Sequence, residues 1–138
     1  MNGNKILIKI ENFKKSLSKF ENADFTRNDL NDFYCEGILL HFSLTFELAW
    51  KALKEVMKLH KISEADTGSP REILKAAYKT GFIHNENLWL LMADARNILS
   101  HVYNEDNAQE YFTLLRDDFI PELKKLLKTL ETKITGLI

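Results

Sequence analysis

The feature that most constrains the fold is a long apolar stripe in the first half of the chain. Its members recur in alternating steps of four and three: Cys35, Leu39, Phe42, Phe46, Ala49, Leu53 and Val56. This spacing predicts an α-helix from about Leu30 to His60, packed nearly antiparallel to its neighbours. A second apolar set on the same helix, Leu40, Leu44 and Leu48, lies roughly opposite the stripe. This second face needs a packing partner, from the bundle or from a second copy, and we favour a homodimer.

Helical periodicity also dominates the rest of the chain, which contains only five Gly and two Pro. The pattern predicts a first helix from about Lys5 to Glu21. A short third helix has clear boundaries: Ser69 as N-cap, Pro70 at the first helical position, Glu72 completing an S-x-x-E capping box and Gly81 after the last turn.

Two further helices complete the predicted architecture. The fourth opens at about Asn85, with a predicted core face formed by Leu88, Leu91, Met92, Ala95, Leu99 and Val102. The fifth runs from about Ala108 to Lys133, and Pro121 is expected to bend or split it by removing one ladder hydrogen bond. The prediction is an all-α, up-and-down antiparallel four-helix bundle with an additional short helix, forming one domain over residues 1–138.

Composition excludes several functional classes. The chain has 138 residues with 19 Lys plus Arg against 20 Asp plus Glu, so its net charge of −1 gives no overall attraction to DNA. The single cysteine, Cys35, has no partner for an internal disulfide, and no apolar run of about 18 residues predicts a membrane span. With no secretory signal at the start, a cytoplasmic location without DNA or membrane partners is expected.

The residues with the clearest chemical potential lie at the end of the fourth helix. Arg96, Asn97, Ser100, His101 and Tyr103 form an R-x4-H-x-Y pattern. A guanidinium can bind phosphate oxygens bidentately and an imidazole can move a proton to or from a ribose hydroxyl, so the pair suits phosphodiester chemistry without a metal. On a regular helix His101 falls about 140° from Arg96. Either the helix unwinds near Ser100 or two chains assemble the site.

Spacing alone does not decide between this chemistry and an ordinary helix end. An arginine, a histidine and a tyrosine near a helix terminus also occur as a cation that complements the helix dipole, a cap and a half-buried aromatic residue. Glu47 and Lys51 similarly form either an exposed i,i+4 pair or polar lining beside Arg96, and Trp50 is most simply a core residue.

Together, several motifs resemble one known family. R-x4-H-x-Y with a polar residue after the arginine looks like the signature of the HEPN superfamily, whose members are dimeric helical bundles. The order of four motifs is similar to the nucleotidyltransferase substrate-binding branch of that superfamily. These motifs are the run HFSLTFELAWK at 41–51, the box SPRE at 69–72, the region of Trp89, and RNILSHVYNE at 96–105. The resemblance covers roughly residues 37–123.

The resemblance implies a two-component, toxin–antitoxin-like system. In it a separate minimal nucleotidyltransferase supplies the transfer chemistry, and this bundle binds the transferase or presents a substrate or its own Tyr103 for nucleotidylation. The alternative that it implies is a metal-independent endoribonuclease toxin with Arg96 and His101 as the catalytic pair across a dimer cleft and RNA as a candidate partner. Asn97, Ser100, Glu47 and Lys51 would support this site.

Other candidate sites lack the necessary spacing. The three histidines outside the motif, with Cys35, show no zinc-ligand pattern: they are His41, His60 and His84. No glycine-rich phosphate loop is present, so the chain is not expected to be the transferase itself, and neither a metal nor a cofactor is predicted. Lys124, Lys125 and Lys128 are interpreted as the solvated face of the last helix.

Overall fold

The computed structural model of the chain describes residues 2–25, 32–99 and 111–138. These residues form five α-helices: α1 (Asn2–Glu21), α2 (Asp32–Leu59), α3 (Pro70–Lys79), α4 (Glu86–Leu99) and α5 (Ile120–Lys133). A 3-10 turn at Ser63–Ala65 precedes α3, and a π-helical turn at Leu115–Phe119 leads into α5. The described ranges contain no strand, and the all-α prediction is confirmed.

The bundle is built around α1 and α2, which run antiparallel. Contacts along α1 run in the opposite order to those along α2 and α5. They are Lys9–Glu55 and Phe20–Phe42 with α2, and Lys14–Glu131 and Glu21–Lys124 with α5. The helix α4 packs against α2 and the π-helical turn, and α3 packs beside α2 and α4. This is the predicted up-and-down four-helix bundle with an additional short helix.

Side-chain caps fix the ends of α3 and α4 at the predicted positions. The Ser69 hydroxyl accepts a hydrogen bond of 3.3 Å from the backbone N–H of Glu72, and Pro70 follows as the first helical residue. Gly81 has a φ of +82°, a left-handed conformation that favours glycine just after a helix end. The Asn85 carboxamide oxygen accepts from the backbone N–H of Leu88 at 3.2 Å and caps α4 in the same way.

The expected interruption by Pro121 takes the form of a π-helical turn. Residues 111–114 are α-helical, and the backbone N–H of Ile120 then bonds to the carbonyl of Leu115, five residues earlier. Because Pro121 has no N–H, the regular ladder lacks one bond at this point, and a wider turn lies directly before it. The last helix was predicted to be bent or split by Pro121, and the structure has a π-helical turn at this point. The first predicted residues, 108–110, lie outside the described ranges.

The two faces of α2 differ sharply in burial. The predicted stripe is buried throughout, and Phe42, Phe46, Ala49, Leu53 and Val56 have no exposed surface. In the opposite set, Leu40 is 72% exposed and Leu44 is 50% exposed, whereas Leu48 is partly buried against the core. Among residues 2–25, 32–99 and 111–138, therefore, nothing fully covers Leu40 and Leu44.

The core face of α4 differs from the predicted one. Leu91 was expected inside but is 44% exposed, whereas Trp89 is fully buried and contacts the Phe46 ring at 6.2 Å between centroids. The indole Nε1 of Trp89 also donates a hydrogen bond to the buried Glu122 carboxylate at 3.2 Å. A large ring with one polar atom and a buried acceptor turns the helix so that Trp89, rather than Leu91, enters the core.

Polar side chains also connect α1 to α2. The hydroxyls of Ser16 and Thr45 lie 2.7 Å apart, and His41 Nε2 lies 3.0 Å from the Ser16 carbonyl oxygen. His60 Nε2 similarly lies 2.9 Å from the carbonyl oxygen of Lys133. Both histidines therefore connect neighbouring helical segments.

Among the described helices, none is both long enough and apolar enough to cross a bilayer.

Candidate functional site

Arg96 joins the end of α4 to the middle of α2. Its Nη1 donates a hydrogen bond to Oε2 of Glu47, and its guanidinium carbon lies 5.6 Å from the centre of the Phe46 ring. The side chain of Arg96 is 27% exposed, so the guanidinium is held against an aromatic face while part of it still meets solvent. Such an arginine is positioned in advance for an anion.

Glu47 is the centre of a small charged network. Its carboxylate accepts a hydrogen bond of 3.0 Å from Trp50 Nε1 and lies 3.1 Å from Lys51 Nζ, in addition to its bond with Arg96. Burial by itself raises the pKa of Glu47, but the hydrogen bonds from Trp50 and Lys51 and the charges of Arg96 and Lys51 outweigh it, so the pKa lies below its ordinary value. Glu47 is therefore ionised at neutral pH and fixes the guanidinium.

An open cleft of about 440 Å³ lies between α2 and α4 at this network. Its lining combines the Arg96–Glu47 pair with two exposed leucines and two polar side chains: Leu40, Leu44, Ser43 and Asn97. The cleft therefore places a cation beside exposed leucines in a partly apolar surface. Among the described residues, no group of three His, Cys, Asp or Glu is placed to share a metal ion.

Comparison with known proteins assigns this chain to a family. A family model described as nucleotidyltransferase substrate binding protein like matches residues 8–132. The chain belongs to that family. The resemblance seen in the sequence is thereby confirmed, and the matched residues include the whole R-x4-H-x-Y pattern and the Glu47 region.

Individual relatives agree with the assignment to the nucleotidyltransferase substrate-binding family. A Haemophilus influenzae protein named "Probable ribonuclease HepT" is 29% identical over 112 residues, which are 80% of this chain and 76% of that protein. Two solved structures share the fold with a TM-score of 0.65 each. One, from Thermus thermophilus, is 23% identical and the match covers 88% of this chain and 98% of the other. The second, from Haemophilus influenzae, is 22% identical, and the match covers 93% of this chain and 98% of the other. It is described as the fold of a substrate binding domain of a nucleotidyltransferase.

The structure brings together some of the predicted site residues of this nucleotidyltransferase substrate-binding protein. Arg96, Asn97 and Glu47 line one cleft, and Lys51 reaches it through Glu47. The exposed i,i+4 pair that Glu47 and Lys51 were expected to form is present, and the same carboxylate also bonds Arg96. Ser100, His101 and Tyr103 lie outside the described residues, so their predicted roles stay predictions.

Two aromatic residues contribute to the site in ways that the sequence reasoning missed. Phe46 was assigned only to the core, but its ring also lies beneath the Arg96 guanidinium. Trp50 was interpreted as a core residue, but it is half-buried and its indole N–H bonds Glu47. The spacing of Glu47 and Trp50, three residues apart on one helix face, was the available signal for this hydrogen bond.

Proposed function

We propose that this chain is the helical partner subunit of a minimal nucleotidyltransferase in a two-component, toxin–antitoxin-like system. The subunit binds the transferase and presents either a substrate or its own Tyr103 for nucleotidylation. The observation that carries this proposal is the family match over residues 8–132 together with an accessible Arg96, which lies seven residues before Tyr103 in the sequence. The description of the Haemophilus influenzae structure as a substrate binding domain supports the same function.

The geometry of Arg96 suits the phosphate chemistry that nucleotidylation requires. Glu47 engages Nη1 of the guanidinium, while Nε and Nη2 have no acceptor among the described residues. An arginine offers five N–H donors in a planar fork, so the edge formed by Nε and Nη2 can bind two oxygens of a phosphate. In this proposal Glu47 orients the guanidinium, and Arg96 binds phosphate next to the segment that contains Tyr103.

Co-expression with a minimal nucleotidyltransferase tests the partner role. We expect the two proteins to purify as a complex and a nucleotidyl mass to appear on the peptide containing Tyr103, detected by mass spectrometry. Tyr103→Phe should abolish the added mass and leave the complex intact. A transferase that forms no complex with the wild-type chain would exclude the proposed partnership, whereas a complex without modification would restrict the subunit to binding.

We also propose that the working unit is a homodimer formed through the exposed face of α2. Leu40 and Leu44 project from this face and line the cleft beside Arg96, so pairing there would place the Arg96 clefts of two copies next to each other. Burial of large apolar side chains would supply the free energy of association. Leu44 also lines a second surface depression with Lys15, Lys19, His41 and Leu48, so the uncovered area continues toward α1.

The molar mass of the protein, measured by light scattering as it elutes from a size-exclusion column, tests the homodimer. Leu40→Glu with Leu44→Glu should give a monomer with unchanged helical content, because both side chains are already exposed in the single chain. Ile8→Glu is the matched control, since Ile8 is 60% exposed on α1 and should leave the dimer intact. A wild-type monomer, or an Ile8 variant that dissociates equally, would contradict pairing through α2.

A second candidate function is a metal-independent endoribonuclease toxin. The similarity to the protein named "Probable ribonuclease HepT" favours it, as does an arginine placed to bind phosphate. Arg96 would bind the scissile phosphate, and His101 would move a proton to or from a ribose hydroxyl. Each site would be completed across the dimer cleft. Expression of the chain alone should then arrest cell growth. The purified chain should cleave RNA even when EDTA removes divalent metal ions. His101→Ala should remove both effects, and an inert wild type would leave only the binding role.

A further inference from the structure

Two lysines on α1 line a surface depression next to the Arg96 cleft. The depression measures about 260 Å³, and its lining includes Lys15 and Lys19 from α1 with His41, Leu44 and Leu48 from α2. We call it the lysine depression. Neither proposed function has so far assigned a role to its two cations.

Lys15 and Lys19 carry positive charge that the chain does not match. Both side chains are exposed, and neither makes an ion pair within residues 2–25, 32–99 and 111–138. Elsewhere on α1, by contrast, Lys9 lies 3.5 Å from Glu55 and Lys14 lies 3.8 Å from a glutamate of α5. No carboxylate is present among the described residues that line the depression. Both cations are therefore available to an external anion.

The spacing of the two lysines suits a chain of phosphates. Lys15 and Lys19 are four residues apart on α1, so they lie about 6 Å apart along the helix axis. Neighbouring phosphates on an extended nucleic-acid strand have a comparable spacing. A lysine is a point charge on a flexible stem, and such contacts position a backbone without identifying its bases.

The lysine depression adjoins the site proposed to bind phosphate, because Leu44 lines both it and the Arg96 cleft. The lysines lie on the α1 side of α2 and Arg96 lies on the α4 side. They are therefore separated by about the width of a helix, roughly 10–12 Å with its side chains. One phosphate group reaches only one of these positions, whereas a strand of several nucleotides reaches both.

The proposed homodimer leaves the lysines accessible. The apolar contact is formed by Leu40 and Leu44 on α2, whereas Lys15 and Lys19 lie on the neighbouring helix. Pairing through α2 therefore places the lysines at the edge of the contact and not beneath it. A strand that leaves the Arg96 cleft along this edge meets them.

We propose that Lys15 and Lys19 bind backbone phosphates of a single-stranded RNA whose scissile phosphate is held by Arg96. This inference rests on the proposed ribonuclease function and adds a subsite to it. Among the described lining residues the only ring is His41, which stacks on Phe20 with 6.1 Å between ring centroids. Binding at this subsite therefore depends on charge and salt and little on base identity.

Fluorescence anisotropy of a labelled 2′-O-methyl oligouridine tests the subsite in the full chain. The methylated ribose lacks the hydroxyl that cleavage would use, so the probe reports binding alone. Lys15→Gln with Lys19→Gln should weaken binding about tenfold and should reduce the slope of log affinity against log salt by about 0.7 for each lost phosphate contact. Lys15→Arg with Lys19→Arg should keep both the affinity and the slope, because the charges remain.

Lys75→Gln with Lys79→Gln is the matched control. These two lysines are also exposed and four residues apart on one helix, but they lie on α3, outside both the lysine depression and the Arg96 cleft. The control variant should bind the probe with nearly the affinity and the salt slope of the wild type. Circular dichroism verifies that every variant is folded.

The outcomes separate the subsite from the ribonuclease function. If the Lys15 and Lys19 variant binds the probe as the wild type does, or if the α3 control weakens binding equally, the subsite is overturned and the ribonuclease function stands. A wild-type chain that does not bind the probe would overturn both. Weaker binding in the lysine variant of a chain that cleaves no RNA would keep the subsite and exclude the ribonuclease. A variant that instead loses only the transferase complex or the dimer would assign the lysines to a protein contact and contradict the inference.

Discussion

Two residues on α4 form similar pairs with glutamates, but in opposite environments. Trp89 donates to Glu122 on α5, and Arg96, seven residues later, donates to Glu47 on α2. The ring of Phe46 contacts both, with Trp89 at 6.2 Å and the Arg96 guanidinium at 5.6 Å. The tryptophan pair is closed, with 0% of Trp89 and 9% of Glu122 exposed, whereas the Arg96 and Glu47 side chains are 27% and 34% exposed.

This difference separates a structural pair from a candidate functional pair. A buried hydrogen bond between Trp89 and Glu122 specifies how α4 meets α5, since leaving either group without a partner inside the core is costly. A half-exposed ion pair contributes little to stability because solvent screens it, but it keeps a guanidinium in place for a ligand. The structural pair and the candidate binding pair thus lie on different turns of the same helix.

Truncation of the closed pair should have the largest effect. Trp89→Ala removes a fully buried ring and leaves Glu122 without its indole donor, and it should lower the free energy of unfolding by about 3–5 kcal/mol. Urea unfolding measures the change. Leu91→Ala, at a 44% exposed position on the same helix, is the control and should change stability far less. Equal losses for the two variants would show that Trp89 does not anchor α4.

Truncation of the half-exposed Arg96–Glu47 pair should have the opposite result: a large effect on activity and a small effect on stability. Arg96→Ala removes the guanidinium proposed to bind phosphate. If the chain is the proposed ribonuclease, RNA cleavage should fall by about a hundredfold or more, while the free energy of unfolding changes by about 1 kcal/mol or less. Arg96→Lys keeps the charge but loses the planar fork and should recover only part of the activity. The assignment of Arg96 to the site would fail if Arg96→Ala destabilised the fold as Trp89→Ala does while cleavage persisted.

The elements of the fold were predictable because their signals are local. The 4–3 spacing on α2, the Ser69 cap and the missing N–H of Pro121 each act within a few residues, and the structure has the predicted feature in every case. The rotation of α4 was not predictable in this way. Leu91 and Trp89 are both apolar but lie about 160° apart around the helix. The choice of which one is buried depends on Glu122, which is 33 residues from Trp89.

The charged members of the candidate site were predicted individually, but the contacts between them and the aromatic residues around them were not. Arg96 and Glu47 were both named from the motifs, yet the bond between them joins residues 49 positions apart. Such a contact depends on how α2 and α4 pack, which periodicity does not specify. The second apolar face of α2 was visible as a pattern, whereas only the structure shows that the chain leaves Leu40 and Leu44 exposed.

Neutralising Glu47 should have a smaller, pH-dependent effect on stability. The folded-state pKa of Glu47 lies below its ordinary value, so its ionised form stabilises the fold above that value, about 4.3, and the contribution is lost as pH falls through the lower, folded pKa. Glu47→Gln should therefore be less stable than the wild type at neutral pH, by about 1 kcal/mol or less. The difference should shrink on acidification below about pH 4.

Urea unfolding of wild type and Glu47→Gln across this pH range measures the Glu47 effect. Glu36→Gln, an exposed position on the same helix, controls for loss of one negative charge. A difference between wild type and Glu47→Gln that stayed constant down to the lowest pH would mean that the ion pairs of Glu47 do not stabilise the fold.

The smallest effect is expected at Lys51, the second cation that contacts Glu47. Lys51 Nζ lies 3.1 Å from Glu47 in an i,i+4 arrangement, and its side chain is 49% exposed, so Lys51→Gln should cost only about a few tenths of a kcal/mol. Lys58→Gln, which breaks a looser 3.9 Å contact with Glu55, is the control. Arg96 and Trp50 still bond Glu47 in the Lys51 variant. The RNA cleavage proposed for this chain should therefore change far less than in Arg96→Ala. A loss as large as that of Arg96→Ala would instead make Lys51 a direct phosphate contact and would extend the site along α2, beyond the cleft between α2 and α4.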